Sequence, residues 1–178
     1  MRPGSPRKRT GWRGGWAAAI LLCAGPAMAG GLTAGGPVAT TGADQLRQAV
    51  RADFVLQCAG CHRVDGRGSS RHGIPDFRQS VGAFVHLPAG REYLIRVPGA
   101  AHSQLNNAEL AAVLNWVLTE FSAAQLPPDF HPYTEQEVAA ARPQRYDDVV
   151  PVRHGLARTL SSMGFSLSDY SYGSDRKP

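Results

Sequence analysis

Cysteine and methionine are both scarce in this 178-residue chain, three of each, and aromatic residues make up only 8% of it. So few cysteines exclude a disulfide-dense scaffold of the kind that replaces a core with cross-links. No uncharged apolar run approaches the roughly 20 residues that a helix needs to cross a bilayer. No segment reads as a strand of quality comparable to the helical segments below. Positive charge is equally confined. The net charge of +5 resides in Arg2, Arg7, Lys8, Arg9 and Arg13, in a segment without acidic residues, and residues 30–178 hold 14 basic and 14 acidic side chains. A balanced chain of that kind gives no support to nucleic-acid binding, which needs clustered Lys and Arg.

What is present begins with an export address. The five basic residues, the apolar run from Trp16 to Leu22 and the small-x-small site Ala27-Met28-Ala29 form a three-part secretory signal over residues 1–29. A lipid anchor on Cys23 is disfavoured by the bulky Leu22, and the arginines are not paired as a twin-arginine signal requires. Residues 30–43 read as a flexible Gly/Thr/Ala leader. From there Thr41-x-x-Asp44 is a capping signal, and Leu46, Val50 and Phe54 recur every four residues up to Gln57. Arg91 to Val97 is predicted as a short helix closed by Pro98-Gly99. Asn106-x-x-Glu109 caps the best helix, with Leu110, Val113, Leu114, Val117, Leu118 and Phe121 on one stripe. After Leu126-Pro127-Pro128 an extension follows, in which Thr134-x-x-Glu137 opens another short helix and the chain beyond Leu160 reads as mobile. The expected fold is mainly α, with a domain over residues 44–125 and an extension, partly disordered, over 126–178.

Cys58-Ala59-Gly60-Cys61-His62 carries the chemistry. Two thiols two residues apart can reach the two vinyl groups on one haem edge, and the adjacent imidazole then lies under the iron, so the spacing predicts one covalent haem c. The competing reading is a redox-active or structural CxxC that happens to precede a histidine. Arg91 and Arg96 are candidates for haem propionates, since a guanidinium matches a carboxylate bidentately, although a solvated surface is the commoner fate of arginine.

Beyond the motif, residues 44–121 resemble a class I c-type cytochrome domain, in which a helix leading into CxxCH crosses a C-terminal helix bearing an aromatic residue, here Leu114-Asn115-Trp116-Val117-Leu118. Tyr93-Leu94-Ile95-Arg96-Val97-Pro98-Gly99 together with Leu114-Asn115-Trp116 is also similar to small periplasmic cytochromes that serve dehydrogenases. The resemblance implies that Pro75 offers its carbonyl to the far nitrogen of His62, where an ordinary loop proline is the alternative. It also implies a methionine as sixth iron ligand from the loop before the C-terminal helix, and the loop from Pro98 to Asn106 has none. His102 in that loop is the candidate replacement, with His86, His72 and Met163 as alternatives and an open sixth position as a further one.

The function implied is one-electron transfer in the periplasm between a dehydrogenase and a downstream cytochrome or oxidase. A haem-based ligand binder or peroxidase-like protein with an open iron site is the rival reading, and a structural subunit docked through the segment after Pro127 is a third.

Overall fold

Residues 41–170 and 172 are described by the computed structural model. The expected signal over residues 1–29, nearly all of the expected leader, Ser171 and the last six residues therefore lie outside the described residues. The described residues form seven α-helices in order: α1 (Gly42–Gln57), α2 (Ala59–His62), α3 (Pro88–Arg96), α4 (Pro98–Ala101), α5 (Asn107–Ser122), α6 (Glu135–Ala141) and α7 (Val150–Ser162). Short 3-10 segments connect some of them, the longest being Val81–His86. Among the described residues there is no β-strand, only a lone antiparallel bridge between Ser69 and Ile74. None of the described helices is long and apolar enough to cross a membrane. The mainly helical fold expected from the sequence is the one observed.

Helix starts follow the capping chemistry. Thr41 Oγ1 accepts from the Asp44 amide at 3.2 Å while the Asp44 carboxylate accepts from the Thr41 amide at 3.1 Å. Asn106 and Glu109 form the same reciprocal pair at 2.9 and 2.8 Å. Each box satisfies two amides that a helix N-terminus leaves without partners. Thr134 caps α6 through the Glu137 amide, but the Glu137 carboxylate does not reach back, because Arg91 takes both of its oxygens at 2.8 and 2.9 Å.

Helices α1 and α5 meet at Phe54, which is fully buried, with its ring centroid 4.9 Å from Trp116 and 5.6 Å from Phe121. The α1 stripe is shorter than expected: Leu46 is 66% exposed, Val50 is half-buried, and the core reaches only the end of the helix at Phe54. On α5 the expected stripe holds, with Leu110, Val113, Val117 and Leu118 buried and Leu114 and Phe121 packed at its margin. Helix α3 starts earlier than expected, at Pro88, and Pro98 opens α4 where it was expected only to close α3. In both cases proline occupies the first turn, where its missing N–H costs nothing.

Residues 126–170 belong to the same compact unit as residues 41–125. Asn115 fastens Tyr133 by two bonds, from Nδ2 to the Tyr133 carbonyl (3.0 Å) and from the Tyr133 amide to Oδ1 (2.7 Å). Val138 and Leu160 are fully buried. Beyond Leu160, where the sequence reads as mobile, the Ser168 hydroxyl donates to the Asp76 carbonyl and its amide donates to Ser80 Oγ. Helix α7 is hard to read from the sequence because Arg153, Gly155 and Thr159 interrupt the apolar spacing of Val152, Leu156 and Leu160.

Replacing Phe54 by Ala removes the ring on which both long helices close. A loss of about 3–5 kcal/mol of stability is expected, read as a lowered denaturant midpoint in circular dichroism. A loss below about 1 kcal/mol would show that the crossing does not depend on Phe54.

Candidate functional site

The CxxCH segment is a helix of its own. Helix α1 ends at Gln57, and Cys58 caps α2, its carbonyl accepting from the amides of Cys61 (3.2 Å) and His62 (3.0 Å). One helical turn brings residues i, i+3 and i+4 onto one face, which gathers Cys58, Cys61 and His62 on the same side. Arg63, with a left-handed φ of 62°, ends the turn.

The loop that follows is folded back by glycine. Gly66 and Gly68 have φ of 73° and 62°, and the Gly68 amide donates to the His62 carbonyl at 2.9 Å. A Cβ at Gly68 would lie 2.3 Å from the Pro75 carbonyl oxygen, so only glycine lets these two stretches of the loop pass. That close approach aims the Pro75 carbonyl at His62 Nδ1, 3.2 Å away. A carbonyl only accepts, so the imidazole proton sits on Nδ1 and the Nε2 lone pair is available to a metal. Phe77, whose amide donates to the Gly66 carbonyl, stacks its ring on the imidazole with centroids 3.9 Å apart and an interplanar angle of 16°.

Burial sets the protonation states here. It lowers the His62 pKa to about 4, with the Pro75 bond opposing and the Arg153 charge assisting, so the imidazole is neutral at pH 7. Burial also pushes the Cys58 thiol up to about 11. Cys58 and Cys61 are unbridged. No group of three or more His, Cys, Asp or Glu side chains among the described residues is arranged to hold a metal ion.

Two curated relatives, both named cytochrome c-552 and both from Thermus thermophilus, are 32% identical to this chain. One match runs over 118 residues, 56% of this chain and 79% of that relative, and the other over 116 residues, 55% and 88%. The chain belongs to the class I c-type cytochromes. No family model and no solved structure matches it. As a c-type cytochrome it is an electron carrier and not an enzyme, and covalently attached haem c is the family's cofactor. Two thiols and an imidazole with a free Nε2, all on one face, are a donor set that fits this group.

The other candidate residues of this cytochrome lie as follows. His86 Nε2 is bonded to the Gln125 carbonyl at 2.7 Å and its ring packs on Phe165, while His72 Nδ1 is bonded to Ser69 Oγ at 2.7 Å. Met163 caps the end of α7, 49% exposed. Arg91 holds Glu137 and the His131 carbonyl and lies over Tyr133, and Arg96 holds the Gln144 carbonyl and lies over Tyr146, so both guanidinium groups are engaged with the extension. A cleft of about 620 Å³ is lined by residues that include Arg78, Phe121, Gln125 and Ser166–Ser168 and by none of Cys58, Cys61 and His62.

His102 is exposed at the end of α4, in a loop held from two sides. The Gln104 amide donates to Gln57 Oε1 at 3.1 Å, beside Cys58. From the extension, Arg142 donates to the carbonyls of Ala101 (3.0 Å), Ser103 (2.5 Å) and Leu105 (2.7 Å) and to Asn107 Oδ1 (3.2 Å). Sequence reading missed this clamp, since nothing local marks an arginine that binds a loop some forty residues away.

Arg142→Met should leave those carbonyls without their donor. Hydrogen bonds to a charged group contribute about 1.5–3 kcal/mol each, so faster amide exchange across 101–107 and a stability loss of about 2–4 kcal/mol are expected. Unchanged exchange in that loop would show that the clamp does not order it.

Proposed function

We propose that this chain is a periplasmic electron carrier that holds one haem through thioether bonds from Cys58 and Cys61, with His62 Nε2 as proximal iron ligand. In this reading it takes electrons from a dehydrogenase and passes them to a downstream cytochrome or oxidase. The observation that carries the attachment is the hydrogen bond from His62 Nδ1 to the Pro75 carbonyl inside a one-turn CxxCH helix. Haem bound there supplies the one-electron couple. The chain's own residues do the rest. Pro75 fixes the tautomer of His62 and raises its basicity. Phe77 stacks on the His62 ring and is backed by Phe121, tilted against it.

His102 is the proposed sixth ligand. Its support is positional: the loop that bears it is tied to Gln57, next to the first thiol, and to Arg142. The export reading rests on the signal at residues 1–29 and the dehydrogenase partner on the family resemblance, and co-purification from the periplasmic fraction tests both.

Denaturing electrophoresis with haem staining should leave colour on the polypeptide and lose it in the Cys58→Ala, Cys61→Ala double variant. Haem released from denatured wild type would reject covalent attachment. His102→Ala should turn a low-spin oxidised spectrum high-spin and open the reduced protein to carbon monoxide, whereas an unchanged low-spin spectrum would exclude His102.

A pH test follows from His62. With its pKa held near 4, protons compete with iron for Nε2 only as the pH falls towards that value and not at the ordinary histidine pKa of about 6.5. Proximal ligation should persist unchanged from pH 7 to about 5 and fail only below. A transition centred between pH 6 and 7 would contradict the buried, Pro75-bonded arrangement.

A further inference from the structure

The Pro75 carbonyl that bonds His62 lies in a loop held by the far end of the extension, residues 165–170. That segment is anchored where it begins. The Phe165 ring packs on His86 with centroids 4.4 Å apart, and Gln125 Nε2 donates to the Ser166 carbonyl at 3.1 Å. Ser168 then reaches the residue after Pro75. Its amide donates to Ser80 Oγ at 3.1 Å, and its hydroxyl donates to the Asp76 carbonyl at 3.0 Å. Ser168 Oγ also lies 3.0 Å from Ser80 Oγ. A hydroxyl has one proton and a carbonyl only accepts, so the Ser168 proton goes to Asp76 and Ser168 Oγ accepts from Ser80. Both hydroxyls and the Ser168 amide are thereby satisfied, around a Ser80 that is 1% exposed.

Two residues before Pro75 the same segment makes a second contact, from the Tyr170 hydroxyl to the Gly73 carbonyl at 3.4 Å. Arg153 of α7 lies against the Tyr170 ring, 4.3 Å from its centroid. Pro75 thus sits between two carbonyls that the extension holds. It has no N–H of its own, so its neighbours must place its carbonyl. We propose that Ser168 is a positioning residue for the iron ligand: by holding the Asp76 carbonyl it keeps the Pro75 carbonyl on His62 Nδ1, and so sets how strongly His62 donates through Nε2. The proposal rests on the reading that His62 is the proximal ligand of a haem on Cys58 and Cys61. An acceptor on Nδ1 raises ligand basicity, and a more basic imidazole supports ferric iron better. Loss of the Ser168 hydroxyl should therefore raise the midpoint potential.

The test uses the holoprotein with S168A, which removes the hydroxyl, and S168T, which keeps it. Haem staining of each denatured protein comes first: wild type without covalent haem would overturn the attachment reading, and this proposal with it, before either variant is measured. In reduced S168A the His62 Nδ1 proton, followed by nuclear magnetic resonance, should exchange with water about tenfold faster than in wild type, the equivalent of one neutral hydrogen bond. At a fixed potential the ratio of reduced to oxidised S168A should rise about threefold, a midpoint shift of about 28 mV at about 59 mV per tenfold. S168T should stay close to wild type in both readings. A hydroxyl that only stabilised the fold would lower the melting temperature of S168A and nothing more, so either reading left at its wild-type value overturns the proposal. If S168A holoprotein does not accumulate, wild type decides. Its His62 ring proton and Ser168 amide should exchange through one shared opening, with the same dependence on denaturant, and exchange through separate openings overturns the proposal.

Discussion

The crossing of α1 and α5 at Phe54 is the contact on which the site depends. Phe54 is buried among Trp116 and Phe121, Phe121 lies 6.1 Å from Phe77, and Phe77 stacks on His62. A continuous aromatic path therefore connects the helix crossing to the imidazole. The same loop is held to α5 by the Gln79 amide, which donates to the Phe121 carbonyl at 2.8 Å. A shift of α5 against α1 would move Phe121, and with it the ring that sets the plane of His62. Close-packed interiors transmit such displacements because they have no slack to absorb them. The position of His62 is thus fixed by contacts tens of residues away in sequence as well as by the four-residue helix that contains it.

Much of the near-site architecture was legible in the sequence because it is local. The capping boxes at Thr41 and Asn106 each join residues three apart, the CxxCH turn needs five consecutive residues, and the α5 stripe is a periodicity within one segment. The Pro75 acceptor came from family resemblance, and the glycines that make it work could be read only once their φ angles were known. Other features were not legible for a physical reason: they are long-range and polar. Nothing in the neighbourhood of Arg142 or Arg153 distinguishes them from surface arginines, and only the fold shows one gripping the carbonyls of a distant segment and the other lying against two aromatic rings. Arg91 and Arg96 show the converse. Their charge suggested a carboxylate partner, and each has one within the protein, Arg91 on Glu137 of the extension and Arg96 on Glu92 of its own helix.

The extension bears on how this carrier meets other proteins. Had it been an arm for docking to a complex, its apolar side chains would be available to a partner. Instead Tyr133, Val138, Leu156 and Leu160 are buried in the core, and Phe130 and Phe165 pack against it. The hydrogen bonds from Asn115, Arg91 and Ser168 close the segment over helices α3 and α5 and over the loop after the CxxCH motif. The large apolar side chains left in water include Val55 and Leu56 at the end of α1 and Val64 just after α2, on either side of the two thiols. With basic and acidic residues in balance outside residues 1–29, long-range attraction to a partner of one charge is weak, and complementarity at short range must select the encounter. The extension therefore holds the loops around the site through Arg142 and Ser168 and leaves Val55, Leu56 and Val64 exposed.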